Sequence, residues 1–350
     1  MTATGSPAAE TVAAVPNLEW REGEDLPDPL GRKGMYGGVS GGHVLLAGGS
    51  NFPVPLRAGG KKTFHRDVFV RPLPYSRAEP WRVASFRLAV GMGEGAAVTT
   101  ELGIACIGGH DGSRPVADVS LLRWNRATSA VERHALPELP EPAANVAAAA
   151  MDGWLYAAGG EGAQGALGTF WRLDLVKAAA DPWASAWEAL PGWPGAKRFG
   201  SIAIVVTPAS GRRLLLAGGL PGLAKSTGDY LRDVMLFDAG SRQWTKGAPM
   251  PRGAVLGAAI AINSSRVLVL GGSDGHDFDR MKELGEQYRI PSDVLVYDTD
   301  SNRWKPGGAM PMGVVGASVI DIGDGWLVAG GEYSPGLRTP KVYQLRLGVR

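Results

Sequence analysis

Cysteine occurs once in the 350 residues, at Cys106. No intrachain disulfide can form, and the apolar run GIACIGG around it marks a buried, inert thiol rather than a nucleophile. No apolar run approaches the roughly 18 residues that a membrane helix needs, so no membrane span is expected. Charge of neither sign dominates: 36 Lys and Arg against 34 Asp and Glu leave a net +2, which speaks against a nucleic-acid partner. Histidine is scarce, and the five at positions 43, 65, 110, 134 and 276 fall into no ligand spacing, so neither a metal site nor a cofactor is expected. The opening stretch MTATGSPAAETVAAVPN lacks the basic and long apolar regions of an export signal. Residues 1–16 read as a disordered arm. The expected location is the cytoplasm, or the periplasm if an export segment has been trimmed away.

Glycine and proline, in contrast, are plentiful: 51 and 25, with no three-residue period, which points to many turns rather than to collagen. The glycines carry a longer period. Gly-Gly pairs follow apolar runs at 48–49, 108–109, 159–160, 218–219, 271–272 and 330–331, about every 50 to 60 residues. The runs are alike (HVLLAGG, GIACIGG, WLYAAGG, LLLAGG, VLVLGG, WLVAGG) and strand-like. A second strand lies downstream of each pair, as in DVFV at 67–70, DVMLFD at 233–238 and DVLVYD at 293–298. A third usually begins at a tryptophan (Trp81, Trp187, Trp244, Trp304), with Val131 in that place in the second repeat. A small-residue strand precedes each pair, giving four strands per repeat. The sixth repeat runs out after its third strand, and a matching fourth, Leu18-Glu19-Trp20, stands at the other end of the chain. A closed ring accounts for this, with the N-terminal strand completing the last repeat.

Four strands, a Gly-Gly after the second and a tryptophan near the fourth resemble the kelch repeat over nearly all of residues 17–350. The resemblance implies one all-β domain, a six-bladed β-propeller, with the tryptophans filling space between blades. In such a meander the loops after each Gly-Gly and the loops joining blades open on one face. Ser50, Asn51, Phe52, His110, Asp111, Glu161, Leu220, Pro221, Ser273, Asp274 and Glu332 would ring one end of the channel, with Arg32, Glu94, Asn145, Arg198 and Arg252 from the joins. A polar ring rich in arginine suits a small anionic ligand. The insertion HDFDRMKELGEQYR at 276–289 predicts a short helix with Phe278, Met281, Leu284 and Tyr288 on one face, over the mouth, in a subunit contact of a homodimer, or on plain surface.

Fold does not give function, and the stretch WLVAGGEYSPGLRT at 326–339 is the most informative. A strand runs into Gly330-Gly331, Glu332 follows, and Arg338 lies six residues on across the turn Ser334-Pro335-Gly336. An acid and a fixed cation sharing one folded-back loop can move a proton and hold an anion; a loop salt bridge is the plainer reading. The GGEYSPGLRT segment resembles the corresponding loop of bacterial sialic acid mutarotases, the N-acetylneuraminate epimerases. GMYGGVSGGHVLLAGGSNF at 34–52 and GGSDGHDFDRMKELGE at 271–286 are similar to further parts of that family. The Glu–Arg blade is last here and mid-chain in enterobacterial members, so the chain resembles a cyclically permuted branch. The resemblance implies a mutarotase that interconverts the anomers of an acidic sugar by acid–base ring opening, without a cofactor. It implies Glu332 and Arg338 as the catalytic pair, with Arg338, Asn51, Phe52, Arg198 and Asp274 as expected contacts to the sugar. Two other kelch functions are weighed against it. A copper oxidase needs a cysteine crosslinked to tyrosine, for which Cys106 is wrongly placed. A protein-binding scaffold is the alternative, although such adaptors usually carry further domains.

Overall fold

In the computed structural model, residues 17–76 and 79–348 are described, and the arm expected over 1–16 lies outside them. The described residues form six four-stranded antiparallel sheets arranged as propeller blades. Blade 1 runs outward through Tyr36–Ser40, His43–Ala47, Asp67–Pro72 and Arg82–Arg87. The innermost strands of blades 2 to 5 are Ala96–Thr100, Ala147–Met151, Ile202–Val206 and Ala258–Ala261. Blade 6 takes Ser318–Asp321, Trp326–Ala329 and Val342–Leu347 from the end of the chain and Leu18–Glu22 from its beginning. The expected closure is therefore what the structure shows: Trp20 pairs with Leu345 and Leu18 with Leu347.

Each core lies between two blades. Ile107 and Leu121 of blade 2 pack on Leu155 and Leu173 of blade 3, and Leu268 of blade 5 on Val328 and Leu345 of blade 6. Such fully buried aliphatics contribute about 1.5–3 kcal/mol each. The tryptophans do more than fill space. Trp81, Trp187, Trp244 and Trp304 each donate the indole N–H to a backbone carbonyl at the end of the preceding blade: Glu24, Pro137, Pro191 and Ala248. Val131 cannot repeat this, and the seam between blades 1 and 2 holds cavities of about 690 and 600 Å³.

The innermost strands are built from small residues because six of them crowd one axis; a Cβ on Gly37 would lie 2.8 Å from the Ser318 side chain of the next blade. Where each blade begins, one backbone N–H donates to the equivalent carbonyl of the blade before it. Gly34 donates to Gly316, Glu94 to Gly34, Asn145 to Glu94, Gly200 to Asn145, Leu256 to Gly200 and Gly316 to Leu256, at 2.5–2.9 Å. This closed circle of six hydrogen bonds marks the channel mouth. All six residues have φ between +49° and +67°, a region that costs a side-chain-bearing residue about 1–2 kcal/mol and glycine almost nothing. Three of the six are glycine; Glu94, Asn145 and Leu256 are not.

Candidate active site

The Glu332–Arg338 loop folds back as expected. Glu332–Ser334 and Leu337–Arg338 form a two-stranded ribbon in which Glu332 stands opposite Arg338. Gly336, at φ +81°, makes the turn. The ribbon is fixed at the mouth because Glu332 exchanges two 2.9 Å backbone hydrogen bonds with Val315 at the blade join. The Arg338 side chain is only 2% exposed and forms an ion pair with the Glu332 carboxylate. The guanidinium lies 5.1 Å from the centre of the Phe52 ring, and its Nε is buried without a hydrogen-bond partner among the described residues.

Three further charged residues complete the cluster. Lys33 enters from the join between blades 6 and 1, its backbone locked to Ser50 by hydrogen bonds of 3.0 and 2.9 Å. Its Nζ is 3.6 Å from Glu332 Oε2. Glu94, in the hydrogen-bonded circle, accepts from Lys62 Nζ at 2.8 Å and from Ser50 Oγ at 3.3 Å. Burial pushes the Glu94 carboxyl up, but Lys33, Lys62 and Arg338 together hold it below its ordinary value. Burial lowers the Arg338 pKa, opposed by Glu332 and Glu94. Three cations thus meet two carboxylates, leaving one positive charge in excess, an electrostatic setting for an anion. Lys33 and Glu94 also line the central cavity of about 220 Å³, together with Asn145, Leu256 and the small residues of the inner strands.

The other expected contacts divide. Phe52 joins the cluster. Asn51 lies beside Ser50, but its amide is committed to the loop: it donates to Asp28 and to the Gly31 carbonyl and faces His65 at 2.8 Å. Asp274 lies in the loop after the blade 5 Gly-Gly and holds His276 at 2.7 Å. Arg198 revises the expectation. Its guanidinium is 1% exposed and turns into the blade, with both terminal nitrogens 2.7 Å from the Asp233 carboxylate and a further bond to the Gly218 carbonyl. Arg32 does the same with Asp67 and Gly48, and Arg252 with Asp293 and Gly271. These arginines clasp the first glycine of a Gly-Gly pair to the strand beyond it.

The 276–289 insertion is not one helix. Phe278–Arg280 and Gly285–Gln287 are 3-10 turns around the four-residue helix Met281–Leu284. Gly285, at φ +56°, ends it. Phe278, in the first 3-10 turn, packs with Phe199 and Tyr230, whereas Met281, Leu284 and the buried Tyr288 pack with Ile290, Val315 and Leu256. The Ile290 N–H donates to the Tyr333 carbonyl at 3.4 Å, and Arg57 of the blade 1 loop abuts Gly285. The insertion therefore lies beside the Glu332 ribbon, against the joins that begin blades 5 and 6 and the blade 1 loop, and none of its residues lines the central cavity.

Fold and site together define a kelch-type propeller with a cluster of paired carboxylates and cations at one end of its channel. No protein-family model matches the chain. Among curated proteins it is similar to N-acetylneuraminate epimerase of Yersinia enterocolitica, 29% identical over 233 residues, and to that of Salmonella typhi, 25% identical over 233 residues. The matches cover 59% and 60% of this chain, and 56% and 57% of those proteins, so the chain spans a little over half the length of the curated relatives it matches. The solved structure of YjhT superposes with a TM-score of 0.69 at 15% identity, covering 93% of this chain and 97% of that one, a likeness of fold. The resemblance read from the GGEYSPGLRT loop is borne out.

Proposed function

We propose that the protein is a sugar-acid mutarotase acting on N-acetylneuraminate or a close relative. The observation that carries this reading is Glu332 opposite Arg338 on one ribbon at the channel mouth. A 2-keto sugar acid carries a carboxylate on its anomeric carbon. Bound to Arg338, whose buried Nε has no partner among the described residues, that carboxylate would bring the anomeric hydroxyl toward Glu332. Glu332 takes the hydroxyl proton, the bond from the anomeric carbon to the ring oxygen breaks, and the ring oxygen receives a proton. The open-chain keto acid turns its carbonyl face and closes again as the other anomer. The names of the curated relatives support the choice of sugar. NMR exchange spectroscopy of N-acetylneuraminate anomers, with and without protein, tests the reading. Acceleration that follows protein concentration supports it; a scaffold would leave the exchange rate unchanged.

A further inference from the structure

The proposed reaction needs a second proton carrier, one that serves the ring oxygen. Arg338 cannot fill that place, because a guanidinium does not give up its proton. Glu94 cannot either: the cations around it hold it ionised, with no proton to donate. Lys62 reaches Glu94 from a side chain that is 37% exposed. Lys33 differs from all of these. Its side chain is 13% exposed, its Nζ is 3.6 Å from Glu332 Oε2, and it lines the central cavity. Its stem lies across Gly316, where a Cβ would come within 2.7 Å of Lys33 Cγ. Its backbone is paired on both sides with Ser50. The side chain is thereby aimed at the channel rather than left to roam.

We propose that Lys33 is the second proton carrier, giving its ammonium proton to the ring oxygen while Glu332 takes the proton of the anomeric hydroxyl. This rests on the mutarotase reading above. The bond between the anomeric carbon and the ring oxygen breaks with its electron pair going to oxygen, and an alkoxide forming there is a far stronger base than an amine. The products are the open-chain keto acid, a neutral Lys33 and a protonated Glu332. On closure from either face the transfers reverse: the chain hydroxyl returns its proton to Lys33, and Glu332 returns its own to the carbonyl oxygen. No proton is gained or lost over the cycle.

The test compares wild type, Lys33→Arg and Lys33→Ala by anomer-exchange NMR, by calorimetric affinity for N-acetylneuraminate and by melting temperature. Arginine keeps the charge facing Glu332 but cannot deliver a proton. Lys33→Arg is expected to lose roughly 10²-fold or more in exchange rate with affinity within a few-fold of wild type. Folded Lys33→Ala is expected to regain rate as ethylamine is added. A wild-type rate in Lys33→Arg overturns the proposal, as does a folded Lys33→Ala that ethylamine fails to rescue. These results leave the mutarotase reading standing. Absence of acceleration by the wild-type protein removes both.

Discussion

Glu332 has two cations within ion-pair distance, Arg338 and Lys33, and their removal is not equivalent. Glu332→Gln keeps the shape and deletes the proton acceptor. The exchange rate should fall about 10²-fold or more while the sugar acid still binds. Arg338→Lys keeps a charge but loses the fork that a carboxylate needs. Binding should weaken by about 10- to 100-fold, the loss of a charge-assisted hydrogen bond worth about 1.5–3 kcal/mol, and a sugar without the carboxylate should be indifferent to the change. A plain salt bridge predicts instead that both variants lose stability and activity together; exchange rate, affinity and melting temperature measured side by side separate the two. Glu94 makes a prediction about pH. Its folded pKa lies below the ordinary value of 4.5, so the unfolded chain binds more protons in that range and stability rises with pH there. The stabilisation is present above the unfolded value and is lost as pH falls through the folded one. Melting followed from pH 7 to pH 3 should therefore show a smaller decline for Glu94→Gln than for wild type; parallel declines would remove Glu94 from the balance.

Within a blade, the arginine clasps tie chain joins to strands. Arg198 is the most enclosed, and Arg198→Met leaves Asp233 facing the blade without its partner. Asp233 is 33% exposed and regains water when the partner goes, so the cost is that of lost charge-assisted hydrogen bonds, about 1.5–3 kcal/mol. Melting should drop accordingly, whereas anomer exchange per folded molecule should stay near wild type, because the guanidinium reaches no residue of the Glu332 cluster. Calorimetry and NMR on one preparation check both halves. The clasp also explains why the repeats were legible and parts of the site were not. Gly-Gly pairs, strand runs and tryptophans recur because every blade meets the same crowding, so one chain displays the constraint six times. Arg32, Arg198 and Arg252 were read as mouth residues because a loop arginine in isolation gives no direction. Their partners give part of it: the repeats with these arginines carry Asp67, Asp233 and Asp293 directly before a strand valine, and blades 3 and 6 lack both, but blade 2 has Asp118 in that place and pairs it with Arg133 of its own outer strand. Glu332 and Arg338 were legible because a six-residue spacing across Pro-Gly is local. Lys33 reaches Glu332 only through the contact of blade 6 with blade 1, and nothing in its neighbouring residues announces that. The insertion's apolar spacing holds for Met281, Leu284 and Tyr288, which share one cluster, but not for Phe278, which lies in a separate 3-10 turn and packs elsewhere.

At the scale of the whole ring, the strand that closes it and the proposed site are parts of one structure. Leu18–Glu22 completes blade 6, the blade that carries Glu332 and Arg338. The segment after it hydrogen-bonds to blade 6 through Gly23 to Val342 and Leu26 to Pro340, and then delivers Lys33 and the first link of the mouth circle, Gly34 to Gly316. Lys341 adds ion pairs of 2.7 and 3.2 Å to Glu22 and Asp25. Blades in a ring touch only their neighbours, so losing one strand both bares an edge and weakens the seam to blade 5, where Leu18 and Trp20 pack beside Leu345 and Val296. Deleting residues 1–22 is therefore expected to lower the melting temperature and abolish anomer exchange together. Deleting residues 1–14 should change neither. Glu332→Gln is the control from the other side, since it should lose exchange while the ring stays closed. If the 1–22 deletion melts like wild type, the N-terminal strand does not hold the ring. If it melts early yet retains full exchange, closure of the ring and integrity of the site are separable, and the contacts that remain after residue 22, Gly23 to Val342, Leu26 to Pro340 and Gly34 to Gly316, are enough to hold the site.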